Sequence, residues 1–146
     1  MENKILNINN IILDLKSESK FDAIERAGKL LIDNGYVKSN YIEGMKKREE
    51  VVSTFLGNGV AIPHAINEYK KEILNTGIVI MQYKDGIDYG DGNVAYIVVG
   101  MPENDDEHME ILSKIAIVIS EEENVERLRN ATSKEEIIKI LEEGEF

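Results

Sequence analysis

The chain has 146 residues, of which 42% are hydrophobic and 31% charged, with no cysteine and a net charge of −11. That describes one soluble globular domain able to bury about two thirds of its unfolded surface. The acidic balance argues against nucleic acid or an anionic membrane as partner, and the lack of cysteine excludes disulfides, a thiol nucleophile and a thiolate metal site.

Residues 1–16 carry Ile5, Ile8, Ile11, Ile12, Leu13 and Leu15 and predict a short extended lead-in on the domain edge. Ser19 with Asp22 three residues on predicts a helix start. Phe21, Ile24, Ala27 and Leu31 then recur at helical spacing up to a stop at Gly35, giving a helix over 20–34. Ser39 is placed to cap a second helix over 40–51, in which Tyr41, Met45 and Arg48 share a face. Residues 67–74 are polar and read as one helical turn or a loop. The runs 76–83 and 94–100 are apolar strands, too apolar for a sheet edge, the first ended by Lys84-Asp85-Gly86 and the two separated by an Asp91-Gly92 turn. Pro102 ends the second. A helix over 106–119 follows with Met109, Leu112, Ala116 and Ile119 inward, then helices over 122–130 and 134–143, the last capped by Ser133 with Glu136. Strands alternating with helices predict a single α/β domain spanning 1–146, with a mixed sheet covered by helices. No run approaches the roughly 20 apolar residues that cross a bilayer, and the amino-terminal residues lack a signal peptide's apolar core, so a cytoplasmic protein is expected.

One stretch stands apart, Leu56-Gly57-Asn58-Gly59-Val60-Ala61-Ile62-Pro63-His64-Ala65. The two glycines permit positive φ, Val60 to Ile62 form a short buried strand, and Pro63 blocks helix at Ile62. His64 is thereby held at a strand end, where α/β proteins place chemistry. A neutral imidazole is a competent nucleophile near pH 7 when one ring nitrogen donates to a carbonyl and the other is left to attack. A histidine that merely closes a turn is the other reading of Pro63-His64, and the dipeptide does not choose between them.

Taken in order and spacing, Arg48-Glu49, Thr54-Phe55-Leu56-Gly57, Ala61-Ile62-Pro63-His64 and the distant Glu107-His108 extend that pattern. From Ile11 to Leu141 the chain resembles the enzyme IIA component of the bacterial phosphoenolpyruvate-dependent sugar phosphotransferase system, in its mannitol/fructose superfamily and most closely the mannitol type. The resemblance implies a mostly parallel sheet with helices on both faces. It implies a phosphotransferase component in which His64 accepts a phosphoryl group, on the ring nitrogen distal to the backbone, from a histidine phosphocarrier protein. The group then passes to a cysteine on the IIB component of a membrane permease. By position, Arg48 matches the family's active-site arginine, His108 its second histidine, and Thr54 a position commonly Thr or Ser. With no cysteine for a fused IIB domain, the chain is expected to stand alone as IIA.

Such chemistry needs an in-line nucleophile and balanced charge on three oxygens, and it demands no metal or other cofactor. Arg48 suits the phosphoryl oxygens with its planar fork, or is a surface arginine among glutamates. His108 suits a donor role, its charged form favoured by Asp105, Asp106 and Glu107, or these residues simply dress a helix entry. The Thr54 hydroxyl supports the site or caps a loop. A shallow, apolar-rimmed depression serving two protein partners in turn is expected around His64. Glu107-His108 and Val98-Val99-Gly100 favour a transport component, while Ala65, where the mannitol type often has glycine, leaves open a fructose-type or regulatory, nitrogen-related relative. A metal-dependent hydrolase using His64 and His108 lacks any compact ligand motif. A binding module without chemistry would tolerate loss of His64.

Overall fold

The computed structural model describes residues 6–102 and 105–143, with side chains for all of these except 105–109 and 111. In chain order come β1 (Ile11–Ile12), α1 (Lys20–Asp33), α2 (Tyr41–Val51), β2 (Phe55–Gly57), β3 (Val60–Ala61), β4 (Val79–Gly90), β5 (Asn93–Gly100), α3 (Asp105–Ile119), α4 (Glu122–Asn130) and α5 (Lys134–Glu142). Short 3-10 segments lie at Ile8–Asn10 and Asn67–Glu72. The strands form one mixed sheet in the order β1-β4-β5-β3-β2. β1 runs parallel to β4 and β3 parallel to β5, whereas β4 with β5 and β2 with β3 are antiparallel, each pair joined by a tight turn.

Strand alternation sorts the core into two layers. Val60, Ile62, Ile78, Ile80, Ile97 and Val99 face α3, α4 and α5. Ala61, Val79, Met81 and Val98 face α1 and α2. Both faces are therefore covered, and β4 and β5 lie inside the sheet, as their apolar runs predict. The lead-in supplies β1 at the sheet edge. No helix among the described residues is long and apolar enough to cross a membrane.

Local signals at helix starts have mixed outcomes. Ser19 Oγ accepts from Asp22 N at 3.1 Å and Ser133 Oγ from Glu136 N at 3.1 Å, as expected of caps. The Glu136 carboxylate reaches back one residue further than a reciprocal cap, to Thr132 N at 3.1 Å. Ser39 does not cap α2, whose N-cap is Asn40, with no side-chain hydrogen bond. Phe21 lies outside the inward stripe of α1, which is Ala23, Ile24, Ala27, Gly28 and Leu31. Ala116 likewise faces solvent, and Ile115, Val118 and Ile119 pack inward; the Met109 side chain lies outside the described residues.

Lys84-Asp85-Gly86 does not end β4. It forms a bulge at which the β4 to β5 register shifts between Gln82 and Ile87, with Gly86 at φ 78°. A Cβ on Gly86 would meet Tyr96 and Val94, so only glycine passes there. Arg129 pins the bulge from α4, donating from Nε to Lys84 O at 2.8 Å with its guanidinium 3.9 Å from the Tyr96 ring.

Gln82, buried in the middle of β4, donates from Nε2 to Leu128 O and Ala131 O at the end of α4, and its Oε1 accepts from Asp14 N. Gln82→Leu keeps the volume and removes all three bonds. It is expected to cost about 2 kcal/mol or more, read as a lower urea midpoint at unchanged m-value.

Candidate functional site

The His64 segment is shaped by its two ends. Upstream, Gly57-Asn58-Gly59 turns sharply, with φ of 130°, 49° and 82°. Positive φ at Asn58 and Gly59 is what a tight hairpin requires, and it folds β2 back along β3. Asn58 also donates from Nδ2 to Ile119 O at 2.7 Å, tying the turn to the end of α3. Downstream, Ile62-Pro63-His64 continues beyond β3, beside the carboxyl end of its parallel neighbour β5. Met101 N donates to Pro63 O at 3.2 Å, which carries the pairing past the last strand residues.

His64 is buried, with only 8% of its surface exposed. Its Nδ1 lies 2.8 Å from Ile62 O. A carbonyl oxygen has no proton to give, so Nδ1 is the donor, and in the neutral ring the lone pair sits on Nε2. The expected bond from one ring nitrogen to a backbone carbonyl is therefore present. Ile62 is held in turn, its N–H donating to Thr54 O at 3.0 Å.

Tyr41, fully buried on α2, secures the residues that follow. Its hydroxyl donates to Met101 O at 3.0 Å and accepts from Ala65 N at 3.2 Å. α2 approaches closely enough that a Cβ on Gly44 would lie 2.9 Å from the Ala65 Cβ and 2.5 Å from Tyr69. Gly44 and the small Ala65 are thus matched across that contact.

Arg48 sits in the last turn of α2 and donates from one guanidinium nitrogen to Val52 O at 2.6 Å, where the helix dipole favours positive charge. Its neighbours in the basic run are spent elsewhere, Lys46 on Glu25 and Lys47 on Glu43 and Tyr69. Thr54 is buried, and its hydroxyl donates to the Glu49 carboxylate. Its N–H approaches both Glu49 oxygens at 3.2 and 3.1 Å. Because the Thr54 hydroxyl directs its own proton to Glu49, the Tyr89 hydroxyl is the donor to this pair, 2.8 Å from Thr54 Oγ1 and 3.3 Å from Glu49 Oε1. Lys20 Nζ completes the group 3.5 Å from Glu49 Oε2. Burial pushes the Tyr89 phenol well above its ordinary range; the Thr54 bond opposes this, Glu49 adds to it, and the positive charge of Arg48 acts against it.

Three of the four candidate residues thus lie along connected structure. Thr54 and His64 are linked through the Ile62 backbone, and Arg48 adjoins Glu49, which holds Thr54. His108 belongs to the first turns of α3, and its side chain lies outside the described residues. Sequence reasoning missed Glu49, Tyr89 and Tyr41 as parts of this site. The only available signal was position, since Glu49 follows Arg48 and Tyr41 lies two turns earlier on the same helical face.

The chain is matched over residues 4–144 by the family described as phosphoenolpyruvate-dependent sugar phosphotransferase system, EIIA 2. It is 50% identical over 140 residues to the mannitol-specific phosphotransferase enzyme IIA component of Bacillus subtilis strain 168, covering 96% of this chain and 98% of that protein. Among solved structures, the crystal structure of IIA mannitol from Escherichia coli aligns with a TM-score of 0.88 at 34% identity, covering 93% of this chain and 98% of the other. The complex of enzyme IIAMTL and phosphorylated enzyme IIBMTL from Escherichia coli aligns equally well, with a TM-score of 0.88 at 33% identity over 93% of this chain and 96% of that one.

The raised phenol of Tyr89 has a consequence for stability. The folded state keeps this proton above pH 10, the ordinary phenol value, while the unfolded chain releases it. Its stabilising contribution is therefore full below about pH 10 and is lost as pH rises toward the folded value. Between about pH 10 and 12, urea stability should decline more steeply for the wild type than for Tyr89→Phe, by up to about 1.4 kcal/mol per pH unit.

Proposed function

Because the chain belongs to the phosphoenolpyruvate-dependent sugar phosphotransferase system EIIA 2 family, we propose that it is a phosphocarrier that takes a phosphoryl group on His64 Nε2. The donor in this reading is the phosphorylated histidine phosphocarrier protein and the acceptor a cysteine on the IIB component of a mannitol permease, with the relay running in the cytoplasm. The observation that carries it is the 2.8 Å contact of Nδ1 with Ile62 O, which directs the ring's lone pair to Nε2. The acceptor and the sugar alcohol are supported by the names of relatives, one mannitol-specific at 50% identity and one solved with phosphorylated IIB.

In the entry step the Nε2 lone pair attacks phosphorus in line, the new N–P bond forms, and the donor's N–P bond breaks with its electron pair returning to the donor imidazole. In the exit step a thiolate of IIB attacks, and the pair of the breaking N–P bond returns to Nε2. The Nδ1 proton stays in place throughout. As Nε2 bonds to phosphorus the ring becomes electron-poor, so the bond from Nδ1–H to Ile62 O strengthens when charge is moving, which is where binding accelerates a reaction. Arg48 supplies positive charge from a rigid helix end to the phosphoryl oxygens, and His108 is assigned as a second donor to them. Thr54 acts through the backbone it holds rather than by touching the phosphoryl group, since its hydroxyl is occupied by Glu49.

After incubation with phosphoenolpyruvate, enzyme I and the histidine phosphocarrier protein, intact-mass analysis is expected to find one acid-labile phosphoryl group on the wild type and none on His64→Ala. Arg48→Ala should label at the same residue but about tenfold more slowly or worse. An unlabelled wild type, in a mixture that labels a control IIA, contradicts the proposal.

A further inference from the structure

We infer that Glu49 is a positioning residue for His64, its buried carboxylate fixing through Thr54 the Ile62 carbonyl that selects the His64 tautomer. The inference rests on the phosphocarrier reading for its kinetic arm only. The Glu49 side chain has no solvent exposure. A carboxylate is costly to bury, and the cost is offset only where donors surround it. Here they come from three separate elements besides its own helix. Thr54 provides its N–H and hydroxyl from just before β2, Tyr89 a hydroxyl from β4, and Lys20 an ammonium from α1.

What this convergence holds is the start of a short relay of backbone contacts. Thr54, gripped at N–H and side chain, presents its carbonyl to Ile62 N at 3.0 Å. Ile62 presents its own carbonyl to His64 Nδ1 at 2.8 Å. Displacing Thr54 therefore displaces the acceptor that keeps the proton on Nδ1. Misplacement of a reacting group by about 1 Å can cost on the order of a hundredfold in rate. Glu49→Gln preserves shape but replaces one acceptor oxygen with an NH2 group, which must face donors of Thr54, Tyr89 or Lys20.

The test compares wild type and Glu49→Gln by two readouts, the 15N shifts of the His64 ring nitrogens and the kinetics of phosphorylation by the phosphorylated histidine phosphocarrier protein. The expected result is a single Nδ1–H tautomer in the wild type, a mixed tautomer population in the variant, and a kcat lower by about 10- to 100-fold with little change in KM for the donor. If Glu49→Gln does not fold by circular dichroism, Thr54→Val, which removes only the hydroxyl link, takes its place with the same expected direction. A folded variant with unchanged His64 ring signals overturns the inference, whether or not its rate falls. A wild type that is never phosphorylated overturns the phosphocarrier reading instead, and the ring signals still decide the role of Glu49.

Discussion

The hydrogen bond from His64 Nδ1 to Ile62 O is the contact on which the site depends. A histidine ring has two nearly equivalent nitrogens, and without a fixed acceptor both tautomers are populated. Local geometry supplies that acceptor. Pro63 between the two residues restrains the chain so that the ring of His64 turns back onto the carbonyl two residues before it. The β3 to β5 pairing and the Met101 N to Pro63 O bond then fix the whole segment to the central sheet. A net hydrogen bond of this kind stabilises by only about 1 kcal/mol, yet that is enough to bias a tautomer equilibrium severalfold.

α2 is the frame that carries this arrangement. Tyr41, Gly44, Met45 and Arg48 fall at i, i+3, i+4 and i+7, one stripe of the helix, with Glu49 beside them. Tyr41 binds the backbone just after His64, through Ala65 N and Met101 O, while Glu49 binds the backbone at Thr54, which leads into β2. One rigid element therefore grips both ends of the segment that contains the His64 ring. Arg48 lies between those two grips on the same helix, directly before Glu49.

The parts of the fold set by period and punctuation were legible in the sequence. The buried runs of β4 and β5, the caps at Ser19 and Ser133, and the Gly57 and Gly59 turn with Val60 and Ala61 after it all follow from short-range rules. β2 was missed although Asn58-Gly59 is a strong hairpin signal, because only three residues precede the turn and Phe55-Leu56-Gly57 has no alternation to read. The bulge in β4 was read as a stop because Lys84-Asp85-Gly86 looks like a loop locally, and what keeps it in the sheet is Arg129, more than 40 residues away. At the site, the roles expected of His64 and its carbonyl partner came from the chemistry of the Pro-His stretch together with a family resemblance. Arg48-Glu49 belongs to the pattern that carries the resemblance, but the role of Glu49 was not legible because a glutamate in a charged helical run reads as solvated. Only tertiary packing reveals that Thr54, Tyr89 and Lys20 close over it.

The most direct test of the account is which ring nitrogen of His64 takes the phosphoryl group. Long-range 1H–15N correlation spectra of the 15N-labelled protein, recorded before and after phosphorylation, separate the two nitrogens by their shifts. Phosphorylation at Nε2, with a proton retained on Nδ1, is the predicted result. A phosphoryl group on Nδ1 would require the bond to Ile62 O to break, and would contradict the claim that this carbonyl governs the chemistry.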